Sequence, residues 1–403
     1  MRWIVAAVAL AWSVGPPLQA GAGPAPHGQA IRTIETALPR LEQGTPPAPL
    51  LDRMTELKVP AVSIAFIEAG EVKWARAYGL AAPGVPATPD TLFQAASLSK
   101  AVAAAGALRL VDRGRLSLDG DVNARLKAWK IPPDEAGAPP AITLRNLLSH
   151  TAGLTVSGYG GYPAGAPRPT LLQMLDGQPP ANTPPVRIFE PPGAYAYSGG
   201  GYTVAQLLTT EAGGRPYPDL LRDLVLRPAG MRRSTFAQPL PDAPASQAAI
   251  GHDAKGAAMP GGWNVYPEYA AAGLWTTPAD YGRFLIAVQA SQDGRRGGLL
   301  RPATARAMLT PVDGGYGLGV ALGNWGGRPY MDHGGSNVGF RAQAMAFLDG
   351  NRQGVVIMTN GDSGGLLAAE ILRAVADAYG WGTRDPGSRG SLRRAPPKPG
   401  TAK

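Results

Sequence analysis

Segments patterned as strands stand at the two ends of this chain, and segments patterned as helices fill its middle. That order admits few architectures. Residues 61–68 alternate apolar residues, turn at Ala69-Gly70 and continue through 71–78 as a partner strand. Near the other end, 340–348 and 354–360 repeat the pattern through Asp349-Gly350-Asn351, and 364–379 reads as a closing helix. Between them, 97–113, 143–148, 170–175, 202–212, 217–226 and 278–290 carry helix signals, with Gly114 as the stop after the first. A further helix is predicted at 31–41. The expected class is α+β: a mainly antiparallel sheet flanked by helices, with a mostly helical lobe at roughly 110–265 inserted into it.

The chain has 403 residues, too many for one small core, so two lobes are expected. Residues 1–22 read as a secretory signal peptide: Arg2, an apolar run from Trp3 to Val14, then Ala20-Gly21-Ala22 as a small-residue cleavage site. The run is too short to span a bilayer core, which needs about 20 residues, and no other stretch is long and apolar enough. Residues 23–49 form an Ala/Pro-rich segment, 50–381 the folded domain, and 382–403 a basic Pro/Gly-rich tail expected to be disordered. Of the net charge of +9, Arg2 and the residues from 384 onward carry +6, so the body has an ordinary balance. Nucleic-acid binding is therefore not expected. Periplasmic or secreted localisation is. The chain has no cysteine, which excludes disulfides and thiol catalysis. Four histidines without H-E-x-x-H give no metal-site pattern, and no cofactor is expected.

Ser97-Leu98-Ser99-Lys100 is the only S-x-x-K in the chain, and it opens an apolar helix. Residues three apart share a helix face. A serine hydroxyl needs a neighbouring base before it can attack. Lys can serve if its surroundings disfavour its charge, whereas Arg stays protonated. The helix start also offers the Ser97 N–H to a developing oxyanion. Tyr197, in Tyr197-Ser198-Gly199, can relay a proton between Ser97 and a leaving group. His333-Gly334-Gly335-Ser336 lies ahead of the strand predicted at 340. Its glycines let a substrate backbone approach the strand edge, and the Ser336 N–H can be a second oxyanion donor. His333 is a candidate to hold either a substrate carboxylate or the Tyr197 oxygen.

The three motifs in this order resemble those of the serine β-lactamase and penicillin-binding-protein superfamily, in the branch of class C β-lactamases, DD-peptidases and related esterases. Leu147-Leu148-Ser149-His150-Thr151-Ala152-Gly153-Leu154, Pro228-Ala229-Gly230-Met231, Ala271-Ala272-Gly273-Leu274-Trp275-Thr276-Thr277 and Gly339-Phe340 add to the likeness, which covers roughly 60–379. The resemblance implies a β-lactamase/DD-peptidase-like fold with the active site between sheet and helical lobe. It also implies an acyl-enzyme on Ser97, a base system of Lys100 and Tyr197, and oxyanion N–H groups from Ser97 and Ser336. His150 and Trp275 are expected to serve structure. Two positions depart from the pattern: Gly199 stands where the best-known members have Asn or Ser, and His333 where most β-lactamases have Lys. No S-D-N and no class A deacylating Glu motif occurs, and Glu190 reads as a loop carboxylate.

The implied activity is hydrolysis of small esters, amides, β-lactams or peptidoglycan peptides. Esters are expected to be favoured, because Gly199 offers no side chain to a substrate amide. The alternative is a slow or non-hydrolytic penicillin or cell-wall-peptide sensor. An α/β-hydrolase is excluded by the lack of a G-x-S-x-G elbow.

Overall fold

The structure is a computed structural model that describes residues 26–42, 44–133, 137 and 141–383. The predicted leader at 1–22 and the tail from 384 lie outside the described residues.

Nine strands occur among the described residues: β1 (Ala61–Glu68), β2 (Glu71–Ala82), β3 (Val85–Pro86), β4 (Phe93–Gln94), β5 (Trp275–Thr276), β6 (Ala321–Trp325), β7 (Arg328–Asn337), β8 (Phe340–Phe347) and β9 (Gly354–Thr359). Seven form one antiparallel sheet in the order β3-β2-β1-β9-β8-β7-β6. The two ends of the chain meet where Val62 faces Thr359 and Ile64 faces Ile357 across the β1–β9 pair. β4 and β5 make a separate two-stranded ladder.

Helix α1 (Pro26–Thr36) ends short of the predicted 41 because Pro39 cannot continue it. Leu38 instead exchanges backbone bonds of 2.8 and 3.1 Å with Ala48. Helix α2 (Leu50–Glu56) follows. The middle of the chain holds α3 (Ser99–Asp112), α4 (Leu144–Leu148), α5 (Leu171–Asp176), α6 (Gly199–Gly213), α7 (Tyr217–Leu221) and α8 (Asp242–Ala245). After it come α9 (Tyr269–Ala272), α10 (Pro278–Gln292), α11 (Pro302–Met308) and α12 (Gly364–Ala378). No helix among the described residues is long and apolar enough to cross a membrane.

The sheet separates two cores, and strand alternation sorts its side chains between them. Val62, Ile64 and Phe66 of β1 and Val355 and Ile357 of β9 join Ile34 of α1 and Leu367, Ile371 and Val375 of α12. Ile67, Val356 and Met358 belong to the opposite and larger core, which contains α3 and α10. Buried on both faces, β1 and β9 read as continuous apolar runs rather than alternating ones.

Sequence patterning missed β6 and β7. Gly326-Gly327 turns the chain between them, and β7 contains Pro329, Asp332, His333 and two glycines, none of which favours a strand by propensity. The H-G-G-S segment therefore lies within a strand of its own, immediately ahead of β8. Helix α6 begins three residues before the predicted 202, inside the run Gly199-Gly200-Gly201. Glycine is a poor helix former, but the Ser198 hydroxyl caps the helix by accepting the Gly201 N–H at 2.9 Å.

Candidate active site

Ser97 does not open the long helix. It sits in a 3₁₀ turn (Ala96–Leu98) that precedes α3, and Ala96 holds φ +51° in the left-handed region. A non-glycine residue there is strained and persists only where its surroundings over-determine it. Here they do. The Ser99 hydroxyl donates to the Ala96 carbonyl at 2.6 Å and accepts the Leu274 N–H at 3.0 Å. The Ala95 N–H bonds the Leu274 carbonyl at 2.9 Å. Tyr281 adds an O–H bond of 3.2 Å to the Leu98 carbonyl. Ser99 is thus a buried structural hydroxyl, two residues from one that faces a cleft.

Two groups converge on Ser97 Oγ: Lys100 Nζ donates to it at 3.0 Å and the Tyr197 O–H at 2.9 Å. Lys100 is buried, its helix wrapped in Ala101, Val102, Ala103 and Ala104. Its Nζ also donates to the Ala271 carbonyl at 2.8 Å and lies 5.0 Å from the Tyr197 ring centroid. Ala271 belongs to the A-A-G-L-W segment that sequence likeness marked without assigning a contact.

Strand β7 closes the other side. β6 pairs with it as far as Asp332, so residues 334–336 form an edge of the sheet beside the cleft. Val338-Gly339 is a two-residue loop closed by the Asn337–Phe340 pair. Alternation along the antiparallel ladder then turns the Ser336 N–H away from β8, toward that edge. Gly335 packs directly on the nucleophile turn: a Cβ there would stand 2.4 Å from the Ala95 carbonyl oxygen. Its missing side chain makes room for the protein's own backbone, not for a substrate as expected from sequence. A Cβ on Gly334, by contrast, would meet Gln343 Oε1 at 3.6 Å, an ordinary contact distance. Asn337 ties the end of β7 down, donating to Gln94 Oε1 at 2.8 Å and to the Ala272 carbonyl at 3.2 Å. The His333 Nδ1 is engaged by the Gly334 carbonyl at 2.6 Å, and its ring centroid lies 6.5 Å from that of Tyr197.

A cleft of about 590 Å³ joins these groups, lined by Ser97, Tyr197, Tyr316, His333, Gly334 and Ser336, with Ser157 and Gly158 on its loop side. No motif or periodicity marks Tyr159 in that loop. A Cβ on Gly199 would stand 2.8 Å from the Tyr159 ring, so that ring fills the space where relatives of the Y-x-N type carry a side chain. The Tyr159 O–H is held by Thr203 Oγ1 at 2.5 Å. Behind this loop lies Glu268, fully buried, with neither carboxyl oxygen hydrogen-bonded among the described residues. Burial pushes its pKa up to about 8.

A serine with two proton-carrying neighbours, set against a strand edge, defines a nucleophilic acyl-transfer geometry. The comparisons agree with the fold. The Beta-lactamase family profile matches residues 50–380, and the chain belongs to that family. It is 27% identical to "Penicillin-binding protein 4" of Amycolatopsis lactamdurans over 335 residues, 76% of this chain and 82% of that one. It is 44% identical to "Esterase EstB" of Burkholderia gladioli over 87 residues, 21% of this chain and 22% of that one. Among solved structures, the D-amino acid amidase of Ochrobactrum anthropi superposes with a TM-score of 0.67 at 22% identity, covering 87% of this chain and 99% of that one. The curated relatives include an esterase and a penicillin-binding protein, and with the family match the chain is a serine hydrolase in that broad sense.

Proposed function

We propose that this protein is an exported hydrolase that forms an acyl-enzyme on Ser97 and turns over small esters in preference to amides and β-lactams. The observation that carries the reading is the pair of contacts on one hydroxyl: Lys100 Nζ at 3.0 Å and Tyr197 O–H at 2.9 Å from Ser97 Oγ. In the first step Oγ bonds to the substrate acyl carbon, and its proton passes to the Lys100–Tyr197 pair. The carbonyl oxygen becomes an oxyanion between the N–H groups of Ser97 and Ser336. Collapse breaks the bond to the leaving oxygen or nitrogen, which takes up the proton. Water then attacks the acyl-enzyme by the same route in reverse and releases the acid.

The ester preference is supported by the acyl side of the cleft. Gly199 offers no hydrogen-bonding side chain, and the Tyr159 ring occupies its space. A substrate amide placed there goes unpaired, which costs about 1–3 kcal/mol. An ester carbonyl carries no N–H to strand. Export is part of the proposal, with residues 1–22 removed and 50–381 acting as the hydrolase unit.

The test is labelling with a fluorophosphonate and with a fluorescent penicillin, read by intact mass. Ser97→Ala is expected to abolish both adducts, and Ser99→Ala to retain them. An adduct that survives Ser97→Ala, or that Ser99→Ala alone removes, overturns the assignment. Fast steady turnover of a butyrate ester separates an enzyme from a slow penicillin sensor.

A further inference from the structure

The proposed mechanism leaves one buried titratable ring beside the site without a task. His150 is 1% exposed, and its backbone holds φ +59°. Histidine in that region is uncommon and marks a position that the surroundings enforce. The enforcement comes from both sides of Tyr197. The Ala196 N–H donates to the His150 carbonyl at 2.7 Å, and the Ser198 N–H donates to His150 Nδ1 at 3.0 Å. The backbone N–H groups of the residues before and after the tyrosine are thus both held by one residue. The His150 ring also lies against the phenol, with centroids 4.2 Å apart. Tyr202 and Tyr316 close around the ring at 5.1 and 4.9 Å.

Because Nδ1 accepts a backbone N–H, the proton of the ring resides on Nε2, and Nε2 meets no hydrogen-bond partner among the described residues. Burial, then the Lys100 charge, then His333 hold the His150 pKa well below its ordinary value. The ring therefore stays neutral and Nδ1 stays an acceptor across the working range of pH. A ring with its acceptor occupied by backbone and its donor enclosed by tyrosines has no atom to offer Ser97.

We infer that His150 is a positioning residue that clamps the backbone N–H groups of the residues on either side of Tyr197, and by its ring fixes where the phenol meets Ser97. This rests on the reading of Tyr197 as part of the base system. The neighbouring segment is built to keep the clamp still. Ser149 Oγ donates to the Arg145 carbonyl at 2.7 Å, Thr151 accepts Asn146 Nδ2 at 3.0 Å, and the Gly193 N–H meets the Thr151 carbonyl at 2.8 Å.

The test measures the acylation rate on a chromogenic ester for His150→Phe and His150→Asn, each in the wild-type and the Tyr197→Phe background, with melting temperature recorded. Phe keeps a ring and loses the acceptor. Asn keeps an acceptor and tolerates the left-handed backbone. A buried N–H left unpaired predicts that His150→Phe slows acylation at least ~10-fold with KM nearly unchanged. His150→Asn should recover most of that loss. In the Tyr197→Phe background neither change should slow acylation more than about 2-fold, because residues acting through one group are non-additive. Equal losses in both backgrounds, or a His150→Phe enzyme as fast as wild type, overturn the inference. If His150→Phe does not fold, a His150→Asn enzyme impaired equally in the two backgrounds overturns it alone. A fully active Tyr197→Phe enzyme instead overturns the underlying reading of Tyr197.

Discussion

Gly335 and Gly199 stand on opposite sides of the cleft; in the sequence the first reads as room for a substrate backbone and the second as a side chain withheld from the substrate. In the structure both spaces are filled, but by different kinds of atom. A Cβ on Gly335 meets the Ala95 carbonyl oxygen, backbone of a turn already pinned by Ser99 and Leu274. A Cβ on Gly199 meets the edge of the Tyr159 ring, a side chain on a loop. The nucleophile side is therefore closed by atoms that cannot yield, and the acyl side by a group that can. The contrast suggests that chemistry is held constant on one wall while substrate choice is adjustable on the other.

The sharpest way to break this contrast is to show slack on the nucleophile side. Lys100→Arg keeps the charge but cannot give up a proton, and its longer fork does not fit the bonds to Ser97 and the Ala271 carbonyl. A loss of at least ~10²-fold in kcat is expected, the usual worth of a general base. An Arg variant within a few-fold of wild type would mean that Tyr197 alone suffices.

Gly335→Ala tests the same wall by packing. A methyl group 2.4 Å from a fixed carbonyl must displace the turn or the strand. Overpacking of this kind costs about 1–3 kcal/mol, so a drop in melting temperature should accompany slower labelling of Ser97. Unchanged stability and labelling would show that the turn is softer than its hydrogen bonds indicate.

On the loop side, Glu268 gives a pH signature. Its folded pKa of about 8 lies above the ordinary 4.5, so the folded protein holds a proton that the unfolded chain gives up. Stability from this group is therefore complete below pH 4.5 and is lost as pH rises toward 8. At about 1.4 kcal/mol per pH unit the loss across that window is on the order of 5 kcal/mol. Glu268→Gln should flatten the dependence, gaining more in melting temperature at pH 8 than at pH 5. An equal effect at both would show that the carboxyl is not protonated in the fold. His150 contributes with the opposite sign. Its pKa is depressed, so its stability is present above the ordinary 6.5 and is lost as pH falls below it.

The smallest expected effect sharpens the adjustable wall. Gly199→Asn by itself should not favour β-lactams, because the new side chain collides with Tyr159. Combined with Tyr159→Ala, it should raise kcat/KM for a chromogenic cephalosporin relative to a butyrate ester by several-fold, within the range of one hydrogen bond of about 0.5–1.5 kcal/mol. A ratio that moves with the single substitution, or stays put with the double, would remove Tyr159 from substrate selection.

Much of this was legible along the chain. The S-x-x-K spacing placed Ser97 and Lys100 on one side of a helix start, where the structure puts them 3.0 Å apart. The end strands and helical middle foretold the antiparallel sheet and its flanking helices. Strand β7 was not legible, because Pro329, Asp332 and two glycines suppress the local signal. Its pairing with β8 through eight successive residue pairs overrides that propensity. Tyr159 lies in a Gly-rich loop with no periodicity, and nothing local says which helix its ring will meet.

The sequence by itself determined which residues are the candidates for the chemistry and in what order most of the elements come, since helix and strand spacing and the nature of a nucleophile and its base are local properties. Tertiary structure decided the rest. It strained Ala96 to present Ser97, set His150 on both sides of Tyr197, and filled two glycine positions with a carbonyl and a ring. Those outcomes depend on contacts between residues far apart in the chain, about 50 positions between His150 and Tyr197 and 240 between Ala95 and Gly335, where spacing along the sequence carries no information about distance in space.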